Sequence, residues 1–373
     1  MKKYIIIGAG ILGASTAYHL AKAGADVLVI DRKDAGQATD AAAGIICPWL
    51  SQRRSKAWYA LAKAGAAYYQ PLISQLEEDG ETDTGYRATG AISLHTDAGK
   101  LDKMAERAMT RREDAPEIGD IRQLNAMDTS ALFPPLSPDY ESVHISGAAR
   151  VNGRALREAL VNGATKHGAK FIHGSAALIS INNQVIGVQV EEQSFSADTV
   201  LITAGAWAAE LLAPLSIDLQ VSAQKAQIVH LHLEHSQTDN WPVVMPPTDQ
   251  YILAFDEGKV VIGATHEDNG SFDQRITAGG LHEVMDKALK VAPGLIDATF
   301  TEARVGYRPF TPGFLPIIGA VPGVNGLLLA NGLGASGLTV GPFLGQQLAQ
   351  LALDEQVDIE LEWYDVAGAI ATC

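Results

Sequence analysis

Residues 4–13 read Tyr-Ile-Ile-Ile-Gly-Ala-Gly-Ile-Leu-Gly, an apolar run that ends in the pattern Gly-x-Gly-x-x-Gly. The apolar run predicts a strand buried on both faces of a parallel sheet. Residues 14–23 have apolar residues at helical spacing, and Gly24 is typical of the residue that follows a helix. Residues 25–30 predict a second strand, and Asp31 stands at its end. The stretch therefore predicts a β–α–β unit with a glycine-rich turn before its helix.

The glycines of this turn have distinct physical roles. Gly8 permits a tight turn, Gly10 lets the backbone approach a pyrophosphate, and Gly13 allows the helix to pack against the strand. The helix N-terminus offers N–H groups and a positive dipole end to phosphates. The Asp31 carboxylate can accept hydrogen bonds from a ribose diol, and it disfavours NADP. The unit predicts a dinucleotide site without distinguishing FAD from NAD; a glycine-rich turn that binds nothing is the alternative.

The composition limits the classes of protein. The chain has 373 residues, of which 36 are glycine, or about 10% against a usual value of about 7%. The 28 Lys and Arg against 43 Asp and Glu give a net charge of −15, which argues against a nucleic-acid partner. With Cys47 and Cys373 alone, no Cys-rich metal site is expected, and a reducing cytoplasm is the predicted compartment. No apolar run approaches about 18 residues, so no integral membrane segment is expected.

The sequence after Asp31 separates the two cofactors. A nicotinamide enzyme would continue with β–α units to about residue 150. Residues 34–46 are instead small and polar, and include Gly36, Thr39 and Gly44. Such a segment presents backbone N–H groups and a hydroxyl to a flat or anionic ligand, whereas a flexible linker is the alternative. The interrupted alternation favours FAD over NAD.

Several segments, in this order, resemble one family of proteins. They are the N-terminal glycine-rich turn with Asp31, the run Ala-Ala-Ala-Gly-Ile-Ile-Cys-Pro at 41–48, residues 147–171, residues 200–212, and a C-terminal glycine-rich stretch. The chain resembles the D-amino-acid oxidase superfamily of FAD-dependent amine oxidoreductases. Its Ala-Ala-Ala-Gly run is most similar to glycine-oxidase-like members. The resemblance covers the whole chain and implies an FAD-binding domain built from separated segments.

Arg308 is the candidate for binding a substrate. It stands between an aromatic residue and a proline in residues 304–312, where glycine and proline predict a loop of fixed shape. A pre-ordered guanidinium binds a carboxylate through two parallel hydrogen bonds, but a structural ion pair is an equal alternative from the residues alone. In the family that the chain resembles, an Arg in a similar motif binds the substrate carboxylate, which implies the same for Arg308. Gly313 departs from the family pattern, which has an Asp beside the flavin.

A second glycine-rich turn opens a helix near the C-terminus. Residues 327–330 predict a strand, and a helix is expected over 338–353. The helix N-terminus would face the flavin ring and stabilise the negative charge of reduced flavin. An ordinary strand–turn–helix is the alternative. The turn also resembles quinone-linked D-amino-acid dehydrogenases.

The resemblance implies particular residues of the cofactor site. In addition to the glycines of the first turn and Asp31, the implied cofactor-binding residues are Ile11, Leu12, Arg32, Thr39, Ala42, Ala43, Gly44, Ala177, Ala204, Gly205, Trp207, Gly306, Arg308, Gly332, Gly334, Ala335, Ser336, Gly337, Leu338 and Thr339. Sarcosine-oxidase-like relatives place a flavin-linked Cys in the segment that matches Arg308. Because Cys47 and Cys373 lie outside that segment, FAD is expected to bind non-covalently.

The substrate-facing wall is predicted from two other segments. Residues 224–233 and 250–264 alternate or run apolar, which predicts strands of an antiparallel sheet over the flavin. Tyr251 matches a family tyrosine that helps to bind the carboxylate, and a half-buried strand Tyr is the alternative. His230 and His232 share a strand face, but no further ligand completes a metal site, so none is expected.

The sequence thus predicts an α/β protein. A Rossmann-type FAD-binding domain is interleaved with a substrate domain that contains a mixed or antiparallel β-sheet. Residues 1–46, 140–215 and 300–373 are assigned to the FAD-binding domain. Residues 47–139 and 216–299 are assigned to the substrate domain.

The expected reaction is oxidation of an amine α to a carboxylate. Glycine, sarcosine or a small D-amino acid would be held by Arg308 and Tyr251 while a hydride passes from Cα to flavin N5. The resulting imine would hydrolyse to a keto acid. Oxygen or a quinone would be the electron acceptor, and the oligomeric state stays open, with a homo-oligomer among the alternatives. A quinone-linked D-amino-acid dehydrogenase, an NAD-dependent dehydrogenase and a non-catalytic flavin-binding protein are the competing functions.

Overall fold

Two β-sheets of different kinds organise the chain, whose computed structural model describes residues 2–268 and 271–371. Within those residues the strands, β1 to β19 in chain order, are Lys3–Ile7, Asp26–Asp31, Ile45–Ile46, Ala91–His95, Ile121–Leu124, Glu141–Ile145, Ala149–Arg150, Lys170–His173, Ala176–Ile181, Gln184–Val190, Gln193–Ser196, Thr199–Ile202, Ser222–His232, Val243–Met245, Tyr251–Ala254, Lys259–Gly263, Thr299–Phe310, Ile317–Ala320 and Leu327–Asn331. The α-helices, α1 to α9, are Ile11–Lys22, Ala38–Ala41, Lys56–Glu78, Ala98–Arg112, Ala126–Leu132, Gly153–Lys166, Ala208–Leu212, Ala278–Val291 and Gly337–Ala352.

The first sheet has the order β18-β19-β12-β1-β2-β8. Its strands from β19 to β8 run parallel, and β18 pairs antiparallel with β19. Tyr4, Ile5, Ile6 and Ile7 of β1 are all buried, as expected for a central parallel strand. Helix α1 packs against α6 and α9 on this sheet. The sheet and its helices form the predicted Rossmann-type arrangement.

The second sheet has the order β17-β13-β16-β15-β14-β4-β6-β5. Its strands pair antiparallel, except that β14 and β4 run parallel. Helix α8 packs against β13 and β16. The predicted substrate-domain sheet is therefore a mixed one. Among the helices of the two described ranges, none has the length and apolar character that crossing a bilayer requires.

The sheet to which two strands belong indicates where the domain boundaries lie. Strands β6 and β17 belong to the second sheet, although residues 140–215 and 300–373 were both assigned to the FAD-binding domain. We therefore propose that each of these two domain segments begins after the strand, near residues 146 and 311. The division into two interleaved domains stays a proposal.

One local prediction is wrong, and one alternative is excluded. The segment around Arg308 is not a loop but the end of β17, because β13 pairs with it over the whole range from Ser222↔Phe310 to His232↔Thr299. The excluded alternative is a flexible linker at residues 34–46, since this segment contains α2 and the short strand β3. The turn after β17 holds Gly313 at φ 73°, where an added Cβ would meet no atom within 4 Å. The glycine that departs from the family pattern therefore supplies a left-handed turn residue.

Candidate active site

A cavity of about 560 Å³ is lined by residues of both large sheets. The turn between β1 and α1 and the N-terminus of α9 line it from the first sheet. From the second sheet come residues near the ends of β13, β15, β16 and β17. The topology therefore brings together segments that lie hundreds of residues apart in the chain.

Most of the predicted site residues line this cavity. They are Gly8, Gly10, Ile11, Leu12, Asp31, Arg32, Thr39, Ala42, Ala43, Gly44, Ala204, Gly205, Trp207, Tyr251, Gly306, Arg308, Gly334, Ala335, Ser336, Gly337, Leu338 and Thr339. Gly13, Ala177 and Gly332 are not lining residues. The exposed Ala177 follows Ala176, which does line the cavity, so the strand alternation puts the lining position one residue earlier.

The three glycines of the first turn differ in what surrounds them. A Cβ on Gly8, which has φ 104°, would come 2.7 Å from the Thr203 carbonyl oxygen. A Cβ on Gly13 would come 1.9 Å from the Gly8 carbonyl oxygen. Around Gly10 the nearest protein atom to such a Cβ would be the Thr39 Oγ1 at 3.5 Å, which is an ordinary contact. The protein itself thus requires Gly8 and Gly13, whereas Gly10 keeps space free within the cavity.

Two helix N-termini meet the cavity, and neither is capped by the residue that precedes it. Gly10 precedes α1, where Thr39 Oγ1 accepts a hydrogen bond from the first N–H of the helix, that of Ile11, at 3.0 Å; Ser336 precedes α9, and its side chain does not cap that helix. At Gly205 and Gly337, which line the cavity, an added Cβ would meet no protein atom within 4 Å. Helix N-termini favour anionic groups. The open backbone at these two turns therefore fits FAD, for which the predicted contacts are the pyrophosphate at α1 and the flavin ring at α9.

Asp31 holds the glycine-rich turn as well as facing the cavity. Its carboxylate accepts hydrogen bonds from the backbone N–H groups of Ala9 and Lys33. It also accepts one from the Gln37 side chain at 2.9 Å. A carboxylate has about four acceptor positions, so one stays available to a ribose hydroxyl. Gln37, which also lines the cavity, was not among the predicted residues.

At the other sheet, Arg308 presents a guanidinium without a carboxylate partner. Its Nη1 donates to Gln224 Oε1 at 3.0 Å, and Gln224 Nε2 donates to Asp268 Oδ1 at 2.8 Å. Among the described residues, Arg308 takes part in no ion pair. The side chain is half-buried at the cavity wall. The arrangement leaves the guanidinium positioned for a carboxylate that comes from outside the protein.

Tyr251 lies beside Arg308 at the same wall. It pairs with Gly263 on β16, where an added Cβ would come 2.7 Å from the Tyr251 hydroxyl oxygen. Burial raises the pKa of the Tyr251 phenol above 10, and the neighbouring Arg308 opposes that shift. The phenol therefore keeps its proton at neutral pH and can donate a hydrogen bond to an anion.

Two ionisable residues of this wall were missed. Asp249 lies two residues before β15, and His266 lies three residues after β16; the His266 Nδ1 is 3.6 Å from the Asp249 Oδ2. Burial works against ionisation of Asp249, but hydrogen bonds from Gln250 and Lys287 hold its pKa below the usual value. Partial burial and Arg308 lower the pKa of His266 below 6.5. Strand alternation could place these positions at strand ends, but only the pairing of β15 with β16 shows that they meet.

The histidines of β13 do not form a metal centre with neighbours. Within the part of the chain that the structure describes, no group of three His, Cys, Asp or Glu side chains is arranged to hold a metal ion. Burial lowers the pKa of His230 to about 4, and its Nδ1 lies 4.0 Å from Glu302.

Cys47 is a buried lining residue of the cavity. Burial raises the pKa of its thiol to about 12, which disfavours the reactive thiolate. Cys373 lies outside the described residues.

Comparisons with known proteins agree with this geometry. The family model described as DAO, FAD dependent oxidoreductase, matches residues 3–351. The uncharacterized oxidoreductase YurR of Bacillus subtilis (strain 168) is 66% identical over 100% of both chains. The crystal structure of iminodiacetate oxidase from Chelativorans sp. BNC1 has a TM-score of 0.94 and 46% identity, covering 97% of this chain and 98% of that one. Glycine oxidase from Geobacillus kaustophilus has a TM-score of 0.87 and 25% identity, with 98% and 99% covered.

The substitution Gly10→Ala is expected to weaken FAD binding by at least about tenfold, equivalent to roughly 1.4 kcal/mol. The added methyl group would enter the cavity while meeting the protein only at an ordinary contact distance. Titration of the apoprotein with FAD, followed by flavin fluorescence, measures the change. Unaltered affinity would contradict the placement of the pyrophosphate at this turn.

Gly13→Ala provides the matched comparison, since its methyl group would collide with the Gly8 carbonyl and lies outside the cavity lining. It is expected to lower the free energy of unfolding of the apoprotein by about 1–3 kcal/mol. Gly10→Ala should leave that quantity nearly unchanged. Urea unfolding followed by circular dichroism distinguishes the two variants.

Acid precipitation of the yellow protein is expected to release its FAD into the supernatant. The reason is that the Cys47 thiol, with its raised pKa, is a poor nucleophile for a covalent flavin link. Absorbance of supernatant and pellet measures the result. A pellet that keeps its flavin in the wild type but loses it in Cys47→Ser would contradict non-covalent binding.

Proposed function

Because this chain belongs to the DAO family of FAD-dependent oxidoreductases, we propose that it oxidises the carbon–nitrogen bond of a small amine that carries a carboxylate. Glycine, sarcosine and small D-amino acids are the proposed substrates. The observation that supports this most is the half-buried Arg308 guanidinium, which lies beside Tyr251 at the cavity wall and has no carboxylate partner in the described part of the chain. The names of two similar proteins, glycine oxidase and iminodiacetate oxidase, point to substrates that share an amine, one methylene group and a carboxylate.

In the proposed reaction, Arg308 and Tyr251 hold the substrate carboxylate. Gln224 positions the guanidinium, because its Oε1 accepts the Nη1 hydrogen bond. Bound FAD supplies the acceptor for the hydride that leaves the substrate Cα. The apolar residues Ala226, Ile228 and Pro309 line the same wall and limit the access of water to the amine. The amine reacts in its neutral form, and the imine product hydrolyses after release.

The competing functions differ in the cofactor and in the electron acceptor that they use. Membership of an FAD-dependent oxidoreductase family argues against the nicotinamide alternative and against a flavin-binding protein without chemistry. An oxidase would pass the electrons to oxygen and form peroxide. A quinone-linked D-amino-acid dehydrogenase would turn over only with a quinone or a dye. We propose the oxidase, since iminodiacetate oxidase and glycine oxidase, at 46% and 25% identity to this chain, are both named as oxidases. A cytoplasmic location belongs to the same proposal.

Anaerobic addition of glycine, sarcosine or D-alanine to the purified yellow protein is expected to bleach its flavin absorbance. Readmission of oxygen should restore the colour and produce one peroxide for each flavin that is reoxidised. Absence of bleaching by any of these amines would contradict the proposed function. Bleaching without reoxidation by oxygen, but with reoxidation by a quinone, would identify the dehydrogenase.

Arg308→Ala is expected to lower kcat/KM for the best substrate by roughly 30- to 4,000-fold. This range corresponds to the loss of about 2–5 kcal/mol when one partner of a buried charged pair is removed. Arg122→Ala is the matched control, because Arg122 is an exposed residue of the same sheet that pairs with Asp120 at 3.2 Å. Steady-state rates at several substrate concentrations measure both variants. Equal turnover in the two variants would exclude Arg308 as the carboxylate-binding residue.

A further inference from the structure

The charges along the cavity wall bear on how many carboxylates a substrate can carry. Two arginines line the cavity. Arg32 is already paired, with Asp34 at 2.8 Å and with Glu210 at 3.2 Å. Among the described lining residues, Arg308 is therefore the arginine left without a carboxylate partner. One such cation can neutralise one carboxylate.

The neighbours of Arg308 do not supply a second cation. Asp249 lines the cavity as a carboxylate, and its partner Lys287 is shared with Glu283, at 3.1 and 2.9 Å respectively. His266 lines the cavity next to Asp249. With a neutral imidazole, the group Asp249, Glu283, Lys287 and His266 has a net charge of −1 − 1 + 1 + 0 = −1.

The state of His266 follows from the groups that face it. Arg308 on β17 and Lys287 on α8 disfavour its protonation, whereas Asp249 and Glu283 favour it. Partial burial is the largest effect against protonation, and together with the two cations it keeps the pKa of His266 below 6.5. Its Nε2 has no hydrogen-bond partner among the described residues. At neutral pH the ring is thus an uncharged donor or acceptor that faces the cavity next to an anion.

We infer that this site selects substrates with a single carboxylate, and that Asp249 acts against a second one because the uncharged His266 beside it supplies no cation. The inference rests on the proposed function and concerns the same cavity. A second carboxylate would lose water beside an ionised Asp249 and would gain no cation in exchange, which is unfavourable. Sarcosine, with one carboxylate, is therefore preferred to iminodiacetate, although a structure similar to this chain is that of an iminodiacetate oxidase.

Arg53 is the cation that could overturn this inference. Its guanidinium lies 4.7 Å from the centre of the Trp58 ring, which lines the cavity, and it donates to the Phe314 carbonyl oxygen at 3.2 Å. Arg53 itself is exposed and is not a lining residue. A second carboxylate bound by Arg53 would require the substrate to extend past Trp58.

The test compares sarcosine with iminodiacetate in the FAD-loaded enzyme. The wild type is expected to have a kcat/KM for sarcosine at least about tenfold higher than for iminodiacetate. Asp249→Asn and His266→Arg should each raise the iminodiacetate-to-sarcosine ratio by about tenfold, because each removes a negative charge or adds a positive one. Asp286→Asn, which changes the charge equally at an exposed pair on α8, should leave the ratio unchanged.

The pH dependence of the same ratio gives an independent measurement. The ratio should rise as the pH falls through the pKa of His266, below 6.5, because the imidazolium then supplies a cation. In His266→Asn this rise should disappear. In Asp249→Asn it should move to lower pH, since Asp249 favours protonation of the ring.

Binding of unreactive analogues separates this inference from the proposed function. Methylthioacetate and thiodiglycolate replace the nitrogen of sarcosine and iminodiacetate by sulfur, and their binding is to be measured as a change in the visible flavin spectrum. Tighter binding of methylthioacetate by about tenfold is expected in the wild type, with the difference reduced in Asp249→Asn and His266→Arg.

The contrary outcomes are distinct. A wild-type kcat/KM for iminodiacetate equal to or higher than that for sarcosine would overturn the selection for one carboxylate. Loss of iminodiacetate turnover in Arg53→Ala would also overturn it. An Asp249→Asn ratio no higher than that of Asp286→Asn would do the same. If neither amine reduces the flavin, the proposed function has failed, and the relative binding of the two thioethers alone decides the inference.

Discussion

The close approach of Gly13 to the Gly8 carbonyl seats helix α1 on strand β1, and the rest of the site depends on that contact. No side chain fits between them, since a Cβ on Gly13 would come 1.9 Å from the Gly8 oxygen. Helix α9 then packs on α1 through Gly345, where a Cβ would come 2.7 Å from the Leu12 oxygen. Helix α3 packs on α9 in the same way, through Gly65 against the Thr339 carbonyl. These backbone contacts bring the N-termini of α1 and α9 to one cavity.

Local sequence signals were sufficient for the parts of the fold that are defined by neighbours in the chain. The strand β1, the glycine-rich turn and Asp31 are all read from residues 3–31, and the helix after the second turn begins at Gly337, one residue from the prediction. The strand that carries Arg308 was not predicted, because its glycine and prolines resemble a loop and its pairing partner β13 lies about 80 residues earlier. Propensity is a weak guide where a long-range partner satisfies the backbone.

The same distinction applies to the candidate site. Residues of the glycine-rich motifs could be predicted from the sequence as cofactor-binding candidates. Asp249 and His266 belong to no motif and could not be predicted as site residues. They meet because β15 and β16 pair in the register Tyr251↔Gly263, which places a residue two positions before one strand next to a residue three positions after the other. Similarly, Ala177 and Ala176 differ only in the face of the strand that each occupies. The chemistry of a motif is readable from sequence, but the register that completes it is a property of the sheet.

The order of strands in the first sheet also determines when this protein can fold during its synthesis. Strand β1 emerges first from the ribosome, yet its neighbour β12 is residues 199–202, and the next strand, β19, is residues 327–331. One edge of β1 therefore stays unpaired until β12 has been translated, past the middle of the 373-residue chain, and β12 in turn lacks its neighbour β19 until near the end. Exposed strand edges of this kind invite pairing with other chains. In a chain whose dinucleotide-binding sheet is assembled from distant segments, the first strand of the nascent polypeptide is therefore exposed to aggregation. Any protection of β1 must come from molecules that contact it outside the ribosomal exit tunnel.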